Sequence, residues 1–174
     1  MNPIKLYLVL SAILCAYMLY AEENTYIKQQ VAYKDQGASG KELTWDFGML
    51  SPINEEYTVA YSIPDSNYMH QWCATEHRTR YYYTLTADTI WRTGYENPTT
   101  FVQYTQPEAV LRLPLRYGDT LSTTFAAKGE YGHRIPMTLS GTNTIEVDAQ
   151  GKLILPDKTY EQVLRVHSQR QYVE

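Results

Sequence analysis

His70, Cys73 and His77 are the residues of this chain best equipped for chemistry. In His70-Gln71-Trp72-Cys73-Ala74-Thr75-Glu76-His77 they are separated by three and four positions. On a helix those offsets share one face, and two imidazoles with a thiolate suit zinc or copper. A closed zinc site needs a fourth ligand, which Asp65 or Glu76 would have to supply. The plainer reading is an irregular connection with two solvated histidines, because a short motif without context is weak. The remaining sequence implies no cofactor.

Tyrosine is the second feature. The chain holds 17, against three Phe and three Trp. In Tyr81-Tyr82-Tyr83 a strand would send Tyr81 and Tyr83 to one face and Tyr82 to the other. Trp91, Tyr95 and Tyr104 could join either group. Exposed Tyr and Trp suit sugar rings or protein partners, being apolar with a polar tip. The competing reading is that they cover a sheet and stabilise it through cross-strand pairs.

Other chemistry lacks a signature. Acyl transfer needs a nucleophile, a base and an orienting group, and no motif marks any serine or histidine for it. Glycoside hydrolysis needs two carboxylates flanking a bond. Glu55 and Glu56 are adjacent, so a strand would point them to opposite faces, and a solvated turn fits them better. No glycine loop for phosphate is present. Catalytic residues therefore stay unassigned.

The first residues supply an address. Lys5 precedes an apolar run from Leu6 to Tyr20, followed by Ala21-Glu22-Glu23-Asn24. A basic start, an apolar stretch and a small boundary residue describe a secretory signal peptide, with cleavage expected after Ala21. The run is short for a span, which needs about 20 apolar residues. Cys15 lies in the run and would be a lipid-attachment site only if a small residue preceded it; Leu14 stands there. Membrane contact is thus expected only through the signal segment, unless Cys15 is lipidated. The formal charge of −4 argues against nucleic acid, whose phosphates demand basic patches. Beyond the signal only Cys73 remains, so no internal disulfide can form. Cys73 reads as a small buried hydrophobe.

The elements that would position these residues read as strands. Residues 1–21 form the signal, 22–36 a polar lead-in or first edge strand, and 37–174 one β domain. Gly37-Ala38-Ser39-Gly40 reads as a turn. Leu43–Phe47, Tyr57–Ile63, Arg80–Ala87, Thr89–Thr93, Thr100–Thr105, Ala109–Leu113, Leu121–Phe125, Met137–Leu139, Thr142–Val147, Leu153–Leu155 and Val163–His167 all have strand character. Asn67 to Thr79 is the least regular part, a loop or short helix. Asp148-Ala149-Gln150-Gly151 reads as a hairpin loop with Gly151 left-handed. Turns at about ten-residue spacing predict a single all-β, antiparallel domain, sandwich-like or an open curved sheet. Val173-Glu174 ends without turn or cap, which leaves room for an element supplied by a longer chain.

Gly40 with Thr44-Trp45-Asp46-Phe47, then Leu113-Pro114-Leu115-Arg116-Tyr117-Gly118-Asp119-Thr120, resembles exported proteins of the Bacteroidetes. So does Asp148-Ala149-Gln150-Gly151-Lys152-Leu153-Ile154-Leu155-Pro156-Asp157 followed by Val163-Leu164-Arg165-Val166. The resemblance covers about Gly37 to His167. It implies a secreted or envelope β domain, in some relatives followed by a C-terminal sorting domain for a gliding-type secretion machine. It implies no activity and no catalytic residues.

The expectation is an exported module of the periplasm, outer-membrane surface or extracellular space that binds an envelope protein or a glycan without catalysis. The alternative is a secreted hydrolase of envelope or dietary polymers, with a cleft gathering histidine and carboxylate side chains.

Overall fold

The structure is a computed structural model that describes residues 24–27, 30–31, 35–54, 58–62 and 71–174. The signal segment with Cys15, the pair Glu55-Glu56, Asp65 and His70 lie outside the described residues. Among the described residues every regular element is a strand. In chain order these are β1 (Asn24–Ile27), β2 (Gln30–Val31), β3 (Gly40–Asp46), β4 (Pro52–Asn54), β5 (Thr58–Ser62), β6 (Gln71–Glu76), β7 (Thr79–Leu85), β8 (Thr89–Glu96), β9 (Thr100–Arg112), β10 (Thr120–Tyr131), β11 (Ile135–Ile154) and β12 (Thr159–Val173). The all-β reading holds. The polar lead-in contains β1 and β2, and the stretch read as loop or short helix holds β6.

From β5 to β12 each strand pairs with the next, as short turns between alternating strands favour. β1 extends this meander beside β5, and no pairing joins β1 to β12, so the sheet stays open. β2 and β4 form a separate two-stranded ribbon. β3 departs from the antiparallel expectation, because it runs parallel to β11 along Ala149 to Ile154. The β10 pairing ends at Thr120↔Glu146, so β3 takes over an edge of β11 that β10 has left free.

Two sequence boundaries dissolve. Thr100–Thr105 and Ala109–Leu113, the latter up to Arg112, belong to one strand, β9, which changes partner midway. Its first half pairs with β10 up to Gln106. Pro107 follows, has no N–H to donate, and stands where β9 leaves β10. The second half stays with β8 and leans over the sheet, where Asn143 Nδ2 donates to the Ala109 carbonyl at 2.8 Å. β9 and β11 therefore touch although β10 separates them in the strand order.

The second correction concerns residues 148–151. They form no hairpin but lie inside the 20-residue β11. Breaks in the β11–β12 register between Val147 and Ala149, and between Gly151 and Leu153, mark bulges. A bulge and a tight turn both draw on polar residues and glycine, so the local sequence reads alike for either. Gly151 is absent from the residues with positive φ. Its glycine serves close approach instead: a Cβ there would collide with the Leu43 backbone of β3.

Alternation along the strands builds the core. Val102, Tyr104, Phe125, Ala127 and Leu139 form one buried cluster, with Tyr95 and Met137 packed against it. The register puts these on one face of β8–β11. Farther along the same sheet, Ile90, Leu111, Ile145 and Val147 are also buried. Burial of a side chain the size of Phe125 contributes about 1.5–3 kcal/mol.

Arg165 of β12 ties down the approach to β3. Its Nε and one Nη donate to the two Asp148 carboxylate oxygens, both at 2.8 Å. Its other Nη donates to the carbonyls of Gln36 and Gly37, at 2.6 and 3.1 Å. The Arg165 hydrogen bonds hold the Asp148 carboxyl below its ordinary range. The unfolded carboxyl then takes up a proton at higher pH than the folded one. This stabilisation is full above the ordinary carboxylate pKa and fades as pH falls through the folded value. Asp148→Asn should flatten the acid limb of a Tm-against-pH curve below about pH 4. An unchanged limb would show that the clamp does not depend on charge.

Candidate functional site

The meander brings three of the five candidate aromatics to one place. Tyr81 of β7 pairs with Tyr95 of β8, which pairs with Val102 of β9, two residues before Tyr104. Period-two alternation therefore puts Tyr81, Tyr95 and Tyr104 on the face that carries the core. Here they line a cleft of about 250 Å³ with Arg92, Arg170 and Tyr172. Arg92 reaches the same face because the β7–β8 register shifts between Tyr82 and Tyr83. Arg170 and Tyr172 arrive from the far end of β12.

Beneath the cleft lies a buried ionic cluster. Glu108 is 2 % exposed, yet it carries a carboxylate. Arg170 Nε stands 2.9 Å from its Oε1, and Arg92 donates through one Nη to Oε2 at 3.4 Å. The Tyr104 hydroxyl donates to Oε2 at 3.0 Å and accepts from an Arg170 Nη at 3.0 Å. Aromatic rings clasp both guanidiniums. That of Arg170 lies 4.6 Å from the Phe125 centroid and 4.3 Å from the Tyr172 centroid. That of Arg92 lies 5.7 Å from Tyr81 and 5.8 Å from Tyr83. Such contacts exploit the negative ring face and contribute more when desolvated.

The surroundings shift the titrations in consistent directions. Burial works against the charge of Arg92, but Tyr83, Glu108 and Tyr104 around it outweigh burial and leave its pKa raised. Burial, then the nearby Glu108 charge, pushes Tyr104 up to about 12. Tyr82, on the opposite face, is pushed up to about 12 by burial and by its 2.7 Å bond to Glu96. Both start from an ordinary 10.0, so between that value and 12 the folded state holds protons that the unfolded state has lost. Stability present below pH 10 should decline as pH rises through that window. An ultraviolet titration should show late-ionising phenols, Tyr82 and Tyr104 among them, with one fewer in Tyr104→Phe. Loss of the late step in neither Tyr104→Phe nor Tyr82→Phe would contradict this environment.

The other two aromatic candidates part from the cleft. Tyr83 shares its face but stacks on Trp72, with centroids 5.6 Å apart. Trp91 points to the opposite side and lines a shallower groove of about 740 Å³ with Thr84, Pro107, Gln106 and Thr124. Its Nε1 donates to Thr86 Oγ1 at 2.9 Å, which fixes the indole. This groove sits at the fork where β9 leaves β10, and Gln106 bridges the fork by donating to Thr124 Oγ1 at 2.8 Å.

The helix that would align His70, Cys73 and His77 does not form, because residues 71–76 are β6. Cys73 is buried within that strand opposite Tyr82. His77 sits in the exposed turn that follows, with a left-handed φ of 53°. Burial pushes the Cys73 thiol up, whereas a ligand or nucleophile needs the thiolate. Among the described residues no group of three or more His, Cys, Asp or Glu could hold a metal ion. Neither the cleft nor the groove is lined by a histidine.

Arg92, Glu108, Arg170 and Tyr172 belong to the site but carry no local sequence signature. Glu108 and Arg170 lie 62 positions apart and meet only in the folded sheet. One cue existed: Glu108 follows Pro107, where a strand is expected to break. Set against known protein families, curated proteins and solved structures, the chain matches none.

Proposed function

We propose that this chain is an exported, non-catalytic module that binds a glycan or an envelope protein through the tyrosine–arginine cleft. The observation that carries this reading is the convergence of Tyr81, Tyr95, Tyr104 and Tyr172 with two guanidiniums around one small concavity. Pockets that hold ligands combine aromatic walls with a few fixed polar groups, and this cleft has both. Its polar groups are already anchored by Glu108, so they are held in place before any ligand arrives. Export rests on the basic, apolar and small-residue order of residues 1–21.

The test is retention of envelope proteins or polysaccharides on the immobilised protein. Tyr81→Ala combined with Tyr95→Ala should abolish retention, whereas Trp91→Ala should preserve it. Loss through Trp91→Ala alone would move the site to the opposite groove. Equal retention by all variants would sink the aromatic reading altogether.

A further inference from the structure

The cleft shows which ligand chemistry it would take. Its charged lining consists of Arg92 and Arg170, with Glu174 exposed beside them. Glu108 lies behind the arginines, almost wholly buried, and occupies part of each guanidinium. A guanidinium carries more N–H donors than these contacts use. Both arginines show the deficit: each Nε is buried without a hydrogen-bond partner among the described residues, that of Arg170 although it stands 2.9 Å from Glu108 Oε1. At Arg92 the contact with Glu108 is also long, at 3.4 Å. Charge-assisted bonds normally close to about 2.7–2.9 Å, so Arg92 is held short of full pairing. The floor of the cleft is therefore rich in donors and positive, while its walls are aromatic.

Resting on the binding reading above, we propose that the cleft takes the carboxylate of an acidic saccharide, a uronic acid residue. The acid group meets the free donors of Arg92 and Arg170, and the sugar ring lies against Tyr81, Tyr95 and Tyr172. Planar guanidinium matches planar carboxylate in a two-point contact that a neutral hydroxyl cannot reproduce. Tyrosine rings offer an apolar face for ring C–H groups and a hydroxyl at the rim. The volume of about 250 Å³ lies below the range for drug-sized ligands, about 300–1,000 Å³, and suits one ring of a longer polymer. Glu174 opposes the acid, so its charge tunes the affinity downward.

The test is titration calorimetry of the intact protein with trigalacturonic acid, a neutral galactose trimer, and sodium sulfate alone. The acidic trimer should bind, weaken as salt rises, and bind at least about tenfold more tightly than the neutral trimer. Tyr172→Ala should weaken it, and Glu174→Gln should strengthen it. Both change exposed residues, so they avoid the folding risk of altering Arg92 or Arg170. Equal binding of acidic and neutral trimers would overturn the acid claim and leave the binding function standing. Sulfate competing as well as the acidic trimer would reduce the site to simple anion binding and overturn the saccharide. If folded protein binds no probe yet still retains envelope material through Tyr81 and Tyr95, only the acidic-saccharide inference falls. Loss of that retention too would end both readings.

Discussion

Glu108→Ala should lower the unfolding free energy by about 3–5 kcal/mol, read as a shift of the urea midpoint. The carboxylate is 2 % exposed and faces two guanidiniums and the Tyr104 hydroxyl. Removing it leaves two partly buried positive charges, 23 % and 26 % exposed, facing each other without their shared counter-charge. The size of the loss reflects that uncompensated charge rather than the worth of the pairing. Replacing the triad together, as Arg92→Met, Glu108→Leu and Arg170→Met, should restore much of the stability while destroying the cleft. A control separates this from surface ion pairs. Lys152 and Glu161 stand 2.9 Å apart with side chains 41 % and 69 % exposed, so Glu161→Ala should change stability by no more than about 1 kcal/mol. Equal losses in Glu108→Ala and Glu161→Ala would contradict the buried network.

Gly151→Ala should detach β3 from β11. A Cβ at Gly151 would run into the carbonyl oxygen, carbon and nitrogen of Leu43, which are backbone atoms that cannot rotate aside. The parallel pairing from Ala149↔Gly40 to Ile154↔Asp46 would have to open around it. Overpacking of this kind costs about 1–3 kcal/mol, and local release of β3 would limit the global loss. The readout is hydrogen exchange. Amides of β3 should lose protection, Trp45 emission should change, and the β10–β11 ladder should stay protected. Were Gly151 a left-handed residue in a hairpin loop, alanine would strain that loop and leave β3 untouched. The variant therefore separates a bulged strand from a turn.

That distinction also shows what the sequence could reveal. Strand character was legible wherever apolar or β-branched residues alternate with polar ones, as in β3, β5, β7 and the first half of β9. Turn chemistry at Pro156-Asp157 was legible too, since β11 and β12 reverse there and Leu155 N donates to the Lys158 carbonyl at 2.8 Å. Residues 148–151 were not, because a bulge inside a long strand uses the residues of a tight turn. β6 was hidden by histidines and a cysteine that suggested a helical face. The parallel pairing of β3 was out of reach, since Leu43 and Gly151 are far apart in sequence and neither encodes a partner.

The site divided in the same way. Tyr81 and Tyr83 share a face by alternation alone, and Tyr95 and Tyr104 follow once the meander is known. Arg92 needs the register shift at Tyr82/Tyr83, and Arg170 needs the tertiary contact that brings its side chain to Glu108 of β9. A charged residue in a strand reads as solvent-facing until its buried partner is in view. Glu108 supplies that partner for both arginines.

The most direct test of the cleft as the binding site is an amide and arginine side-chain shift map of the protein, recorded with and without trigalacturonic acid. The account predicts the largest changes at Tyr81, Arg92, Tyr95, Arg170 and Tyr172, including the Arg92 Nε–H, with Trp91 and Ser122 to Thr124 unmoved. Shifts confined to Trp91, Pro107 neighbours and Thr123, with the Arg92 and Arg170 side chains unchanged, would contradict it.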